Sequence, residues 1–517
     1  MAANLMQSPE LLKGDNTIPG VKIPPEILKE IPGILKSCRD WGLDFYDTVV
    51  EFLDYDGISE VAAYGGFPVR FPHWSFGEQY EDLSRGYEYG MHRIYEMVIN
   101  TNPCYIYCLD SNTWVDHVTV IAHATGHNDF FKNNIFFSQT SQNMMNELAN
   151  HGTRIRKLSA EWGKENVNRF INRIMSVETL IDSSKAWNRR ISHDPIPSVR
   201  RHVEHPRRLK VQEGHEYMEE WINDQKYIDS EYGRIKDEEV RKSIGLFEKP
   251  DKDIFGYLKD HAPLKPWQQD IISMMYREAM YFAPQGQTKM LNEGWASRVD
   301  SQMMAQYGLA KDDGIVEYAA HKAGVLGGKT SMNPYKLGYM LLTDIEERWN
   351  KGQFGKEWDE CEDAQVKAKW DKKLGLGHDK IFEVRRHYND VTALAEFFTQ
   401  EFCDKHQFYQ WKKFPDGTYK IMERDAQKIK AMLIQKYVNR GLPVIKLVEP
   451  NYKGQRIFLM EHEWDGRTLH PSKTKETMRA LSAIWRGPCA ILSKDKDEKQ
   501  IMYYCKDDQV TVGEPAV

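Results

Sequence analysis

Apolar residues recur at Ile271, Ile272, Met275, Ala279 and Phe282. This one-sided stripe, at about 3.6 residues per turn, predicts a helix that starts near Lys265. Pro284 is expected to end it, because proline has no N–H to donate and crowds the carbonyl four residues back. Pro284-Gln285-Gly286 is then expected to turn the chain. The same periodicity predicts helices over residues 25–41, 115–157, 162–187, 288–307 and 333–350, with one or two more in 378–405. Asn333-Pro334 supplies a capping side chain followed by a proline suited to a first turn. From residue 406 the pattern shortens. Residues 408–411 and 418–422 read as strands around the turn Pro415-Asp416-Gly417. A helix over 425–439 closes at Gly441. Residues 444–448, 456–462, 489–493 and 501–505 are strand-like, with a helix at 471–485 between the two pairs. That order predicts an α+β module. The fold class is therefore a large, mainly α N-terminal domain followed by a small α+β C-terminal domain. Three segments are expected: an N-terminal arm over 1–30, a mainly helical core over 31–405, and the module over 406–517. A charged excursion at 189–251 interrupts the core, and no internal repeat is visible.

Composition narrows the function class. At 517 residues and roughly 150 residues per domain the chain has room for several cores. With 41% hydrophobic residues it is not a disordered polymer. Lys and Arg number 70 against 76 Asp and Glu, a net charge of -6, which argues against nucleic acid as a partner. Seven scattered cysteines, of which only Cys104 and Cys108 are close, argue against a disulfide framework and for a reducing compartment. The first ten residues hold no basic and apolar signal pattern, and no apolar run approaches the roughly 18 residues of a membrane span. A cytoplasmic location is expected. The basic cluster within 189–251 reads as a solvated face, since acids follow it closely.

The chemistry concentrates in a few places. His123 and His127 are four apart, so both imidazoles lie on one helix face and can meet at one cation. The plainer alternative is two core histidines bonded to carboxylates or backbone. A His-Glu-x-x-His helix would carry its general base beside the first histidine, but Ala124 stands there. Glu147 and His151 repeat the four-residue spacing and could present a carboxylate and an imidazole to the same centre. Glu278, beside the apolar stripe, is a second candidate for the base, because partial burial raises a carboxyl pKa. His321 is a weaker candidate, a lone helical histidine. The loop Ala63-Tyr64-Gly65-Gly66-Phe67-Pro68, continuing to Trp74, is rigid and aromatic. It is expected to line a cleft, with Arg70 binding a substrate carboxylate beside His73 and Trp74; a packed surface loop is the alternative.

His127-Asn128-Asp129-Phe130-Phe131-Lys132-Asn133-Asn134 and the distant Asn292-Glu293-Gly294-Trp295-Ala296 resemble the gluzincin metallopeptidases. That resemblance implies a zincin-like helical metal site with His123, His127 and Glu293 as ligands; the spacing of Glu147 and His151 adds His151 as a possible further ligand. The cofactor implied is a divalent metal ion, with zinc the expected one. Over residues 24–503 the chain resembles the SpoVR family (stage V sporulation protein R). The carrying motifs are the loop just named with Phe71-Pro72-His73-Trp74, Ile94-Tyr95-Glu96, Asn100-Thr101-Asn102-Pro103, the two metal segments, Ala283-Pro284-Gln285-Gly286-Gln287-Thr288-Lys289 and Asn333-Pro334-Tyr335-x-Leu337-Gly338. The resemblance implies a role in spore cortex formation or stress. It also implies partners of the serine-kinase and von Willebrand types. Two functions are compatible with this. One is a metal-dependent hydrolase acting on an amide bond in a peptide or cell-wall (peptidoglycan) component, with Glu147 or Glu278 as base. The other is a regulatory or scaffold protein with a structural or vestigial metal site.

Overall fold

The computed structural model describes residues 25–88, 95–184, 252–309, 314–327 and 333–514. Most of the expected N-terminal arm and the whole charged excursion at 189–251 lie outside the described residues. The fold is mainly helical, with several small sheets and a C-terminal sheet region. Close contacts group the chain into two compact units, residues 1–167 with 281–442, and 168–280 with 443–517. This division runs differently from the composition change at 406: residues 406–442 group with the first unit, and the described residues of 168–280 with the C-terminal sheet.

The first unit is built around α4 (Trp114–Asn133). Before it come α1 (Pro25–Asp40), β1 (Thr48–Leu53), α2 (Tyr55–Ala63), α3 (Trp74–Glu88), β2 (Glu96–Ile99) and β3 (Cys104–Leu109). Ile27, Ile31, Ile34 and Cys38 form the buried stripe of α1, as the 3.6-residue period requires. The three strands, absent from the sequence reading, form a sheet in the order β1-β3-β2, with β1 parallel and β2 antiparallel to β3. Central β3 is mostly buried, so Cys104-Tyr105-Ile106-Tyr107-Cys108-Leu109 lacks the polar alternation that marks a half-exposed strand. A capping box between Thr113 and Asp116 starts α4, whose residues 115–131 are all buried.

After α4 come α5 (Met144–Trp162) and α6 (Lys164–Met175), then α7 (Ile254–His261), α8 (Pro266–Gln287), α9 (Lys289–Ala305), α10 (Gly314–Leu326) and α11 (Pro334–Lys351). Asn333 caps α11 through the Lys336 N–H at 2.7 Å, with Pro334 at the first helical position, as expected. Pro284 does not end its helix: α8 continues to Gln287, so the expected turn at 284–286 is not formed. Proline removes one bond of the helix here without stopping it, and the helix runs three residues further. Thr288 then returns its N–H and hydroxyl to the Pro284 carbonyl, at 3.1 and 2.8 Å.

Residues 378–405 form three helices, α12 (Gly377–His387), α13 (Asp390–Phe397) and α14 (Gln400–His406). The hairpin β4 (Gln410–Lys413) and β5 (Tyr419–Glu423), then α15 (Ala426–Tyr437), complete the first unit.

In the second unit, β6 (Ile445–Tyr452), β7 (Ile457–His462), α16 (Pro471–Trp485), β8 (Cys489–Lys494), β9 (Gln500–Lys506) and β10 (Gln509–Gly513) make a sheet in the order β10-β9-β8-β7-β6. The α16 helix joins the parallel pair β7 and β8, and its Met478, Leu481, Ile484 and Trp485 are buried. No described helix is long and apolar enough to cross a membrane.

Candidate metal centre

Two helix contacts set the site. At Gly126 of α4 an added Cβ would lie 2.8 Å from the Ala296 Cα of α9, so the two backbones touch there. At Gly294 an added Cβ would collide with the backbone of Gly338 in α11. The glycine after Glu293 is thus a packing requirement, and it lets α9 lie between α4 and α11.

This packing brings His123, His127 and Glu293 together, with one ligand atom from each within 4.8 Å of the others. Glu293 Oε2 is 3.7 Å from His123 Nε2 and 3.5 Å from His127 Nε2. Two ligands sharing a tetrahedral zinc at ordinary bond lengths stand about 3.4 Å apart, so the spacing suits a common cation. The opposite nitrogens are held from behind. His123 Nδ1 bonds Asp300 Oδ2 and His127 Nδ1 bonds Asn292 Oδ1, both at 2.9 Å. Both partners are acceptors, so each Nδ1 carries the proton and each Nε2 is left to ligate. Metal-binding histidines are commonly oriented in this way. Asp300 also accepts from Lys322 Nζ at 2.6 Å and Tyr318 at 2.9 Å. Burial pushes the Tyr335 hydroxyl well up, and the Glu293 and Glu96 carboxylates add to the rise. The donor set and its supports therefore fit a divalent cation.

Without a metal, the buried charges of the cluster hold one another, and a cation would have to displace the second proton of His123. Burial alone would push Glu293 up, but the two histidines overrule it and hold the carboxyl well below its usual range. Burial alone would lower His123; Asp300, Glu293 and Glu96 instead hold its proton and push it up to about 10. Burial raises Glu96, and the neighbouring histidines offset only part of the rise.

Beneath the site, the residues that follow His127 are structural posts. Asn128 bonds both the N–H and carbonyl of Tyr46 at 3.0 Å. Asp129 accepts from Asp44 N–H at 2.8 Å, Arg385 Nη1 at 2.7 Å and Trp295 Nε1 at 2.9 Å. Burial pushes Asp129 up to about 6 despite Arg385. The α9 N-terminus is capped by Asp390, which accepts from Met290 and Leu291 N–H at 2.8 and 2.9 Å.

A cavity of about 400 Å³ opens beside His123, lined by Tyr95, Glu96, His321, Lys322 and Tyr335 among others. His321 bonds Asp116 at 3.1 Å and meets the Tyr95 ring edge-on at 5.0 Å. Glu96 Oε1 lies 4.0 Å from His123 Nε2. Glu96, Asp300 and the orienting role of Asn292 were missed as site features by sequence reasoning. A signal existed for each: Glu96 sits in the Ile94-Tyr95-Glu96 motif, Asn292 precedes the ligand, and Asp300 follows it by about two turns on the same helix.

Other expected site residues are not members of this three-ligand group. His151 is buried on α5 and is not in the three-ligand group. Glu147 accepts a hydrogen bond from the Ser141 hydroxyl at 2.6 Å. Glu278 is buried and falls among the residues of the second unit. Arg70 donates to the Tyr64 carbonyl at 3.1 Å and lies over the Phe71, Phe76 and Phe282 rings, so its loop and two neighbouring helices engage it. His73 is buried against the Ser75 hydroxyl at 2.7 Å, while Trp74 is 60% exposed. None of these three lines the cavity beside His123.

The family model described as SpoVR like protein matches residues 24–442. The chain belongs to the SpoVR family. The match covers both helices that carry the His123, His127 and Glu293 cluster of this SpoVR-family chain and stops before the five-stranded sheet. The chain is also similar to "Uncharacterized protein YcgB" of Escherichia coli (strain K12), at 24% identity over 508 residues and 91% of each chain. No solved structure matches.

Proposed function

We propose that this protein is a metal-dependent hydrolase that cleaves an amide bond in a peptide or cell-wall component. The observation that carries the reading is the His123, His127 and Glu293 cluster, with each histidine oriented from behind and a cavity beside it. A closed structural site would bury its ligands away from any cavity; here His123 lines one. When bound, a zinc-type cation polarises a carbonyl and lowers the pKa of water. The protein's own part is to present three donors, fix the imidazole tautomers and hold a substrate carbonyl in the cavity. The cell-wall substrate class and the cytoplasmic setting follow from the sporulation context implied by the family name.

The test is metal analysis of the purified chain, then hydrolysis of peptide and peptidoglycan-fragment substrates. Replacing His123 or His127 with Ala should remove bound metal and activity together. If neither change alters either, the reading fails. Ala124 favours a second reading, a regulatory protein with a vestigial site, whose partners would be the kinase and von Willebrand-type proteins implied by the family. A full metal complement with no hydrolysis of any substrate would support that reading.

A further inference from the structure

Ala124 is fully buried and occupies the position at which a His-Glu-x-x-His helix carries its base. Any carboxylate acting on water here must come from another element. Glu293 is occupied by both histidines, and Asp300 by His123 Nδ1, Lys322 and Tyr318. Glu96 differs from both. It approaches His123 from the side of Nε2, the ligating nitrogen, at 4.0 Å. It is not part of the three-ligand group, yet it lines the cavity together with Tyr335 and His321. Its place is fixed by the sheet, because β2 pairs with β3 and sets Glu96 opposite Cys108.

From this geometry we infer that Glu96 is the catalytic base, supplied from a strand in place of the glutamate missing from α4. The inference rests on the hydrolytic reading and deepens it. Glu96 takes a proton from a water molecule in the cavity as the water oxygen attacks the amide carbonyl carbon. The C–N bond then breaks, and Glu96 returns the proton to the departing nitrogen. One amide and one water become a carboxylic acid and an amine, and the Glu96 carboxylate is restored.

The test uses the full chain loaded with zinc and acetohydroxamate as the probe, because its hydroxyl needs a neighbouring carboxylate to accept its proton. Calorimetry reads binding, and elemental analysis reads metal. Glu96→Gln should keep one zinc per chain with affinity within about threefold of wild type, while acetohydroxamate binding weakens at least tenfold. Glu96→Asp, the milder variant, should fall between the two if the fold is intact by circular dichroism. Loss of zinc from Glu96→Gln would make Glu96 a ligand and overturn the assignment. Equal acetohydroxamate binding by wild type and Glu96→Gln would overturn it too, as would a zinc-loaded wild type that ignores the probe. A wild-type chain that takes up no zinc removes the hydrolytic reading itself, and this assignment with it.

Discussion

Gly126→Ala tests the geometry of the site without touching a ligand. The new Cβ would stand 2.8 Å from Ala296 Cα, and 3.1 and 3.2 Å from two atoms of Val299. Ordinary contact begins at 3.4 Å, so α4 and α9 must part by about 0.6 Å. Alanine is favoured over glycine inside a helix by about 1 kcal/mol. Overpacking a tight contact costs about 1–3 kcal/mol, so a net loss of up to about 2 kcal/mol is expected. The same opening separates the histidines of α4 from Glu293 of α9 by more than the roughly 0.2 Å that a metal site tolerates. Zinc affinity should fall at least tenfold. Urea denaturation of the metal-free chain reads the first effect, and zinc competition against a chromophoric chelator reads the second. Gly33→Ala is the control, because nothing lies within 4 Å of its added Cβ in α1. It should stabilise the chain by about 0.5–1 kcal/mol and leave zinc binding unchanged. If Gly126→Ala matches wild type in both assays, the helix contact does not set the ligand spacing and the reasoning is wrong.

Asp300→Asn should weaken zinc about 10–100-fold while leaving the three ligands in place, measured by the same competition. Arg385→Met should cost about 3–5 kcal/mol in urea denaturation, because the buried Asp129 carboxylate loses its cation. In the metal-free chain His123 gains partners, so its folded pKa, about 10, exceeds the unfolded value of about 6.5. The stability it adds is fully present below about pH 6.5 and is lost as pH rises through about 10. Urea midpoints of wild type and His123→Ala should therefore differ most near pH 6 and converge near pH 10. Zinc must displace that proton, so zinc binding should release protons and weaken as pH falls, which calorimetry in two buffers would check.

Much of the helical frame is legible in the sequence, because its apolar stripes follow a helical period; the α11 cap and the α16 limits are examples. The β3 strand is not legible, because burial removes the alternation that would reveal it. Pro284 misleads because the helix runs through it to Gln287, so a proline near a helix end does not mark the boundary. The histidine pair is visible as four-residue spacing, and Glu293 only through its motif. Glu96 reaches the site through strand pairing, for which no spacing rule exists. Arg70 stands in a recognisable loop, but the Tyr64 carbonyl and the Phe71 ring of that loop engage it, together with Phe76 of α3 and Phe282 of α8.

Asn292, Glu293 and Asp300 all belong to α9. One rigid rod therefore supplies a jaw of the clasp and both of the fingers that steady the opposing imidazoles. Sliding that rod along its axis would loosen every grip at once, so whatever presses on α11, against which Gly294 rests, has a mechanical route to the His123, His127 and Glu293 cluster.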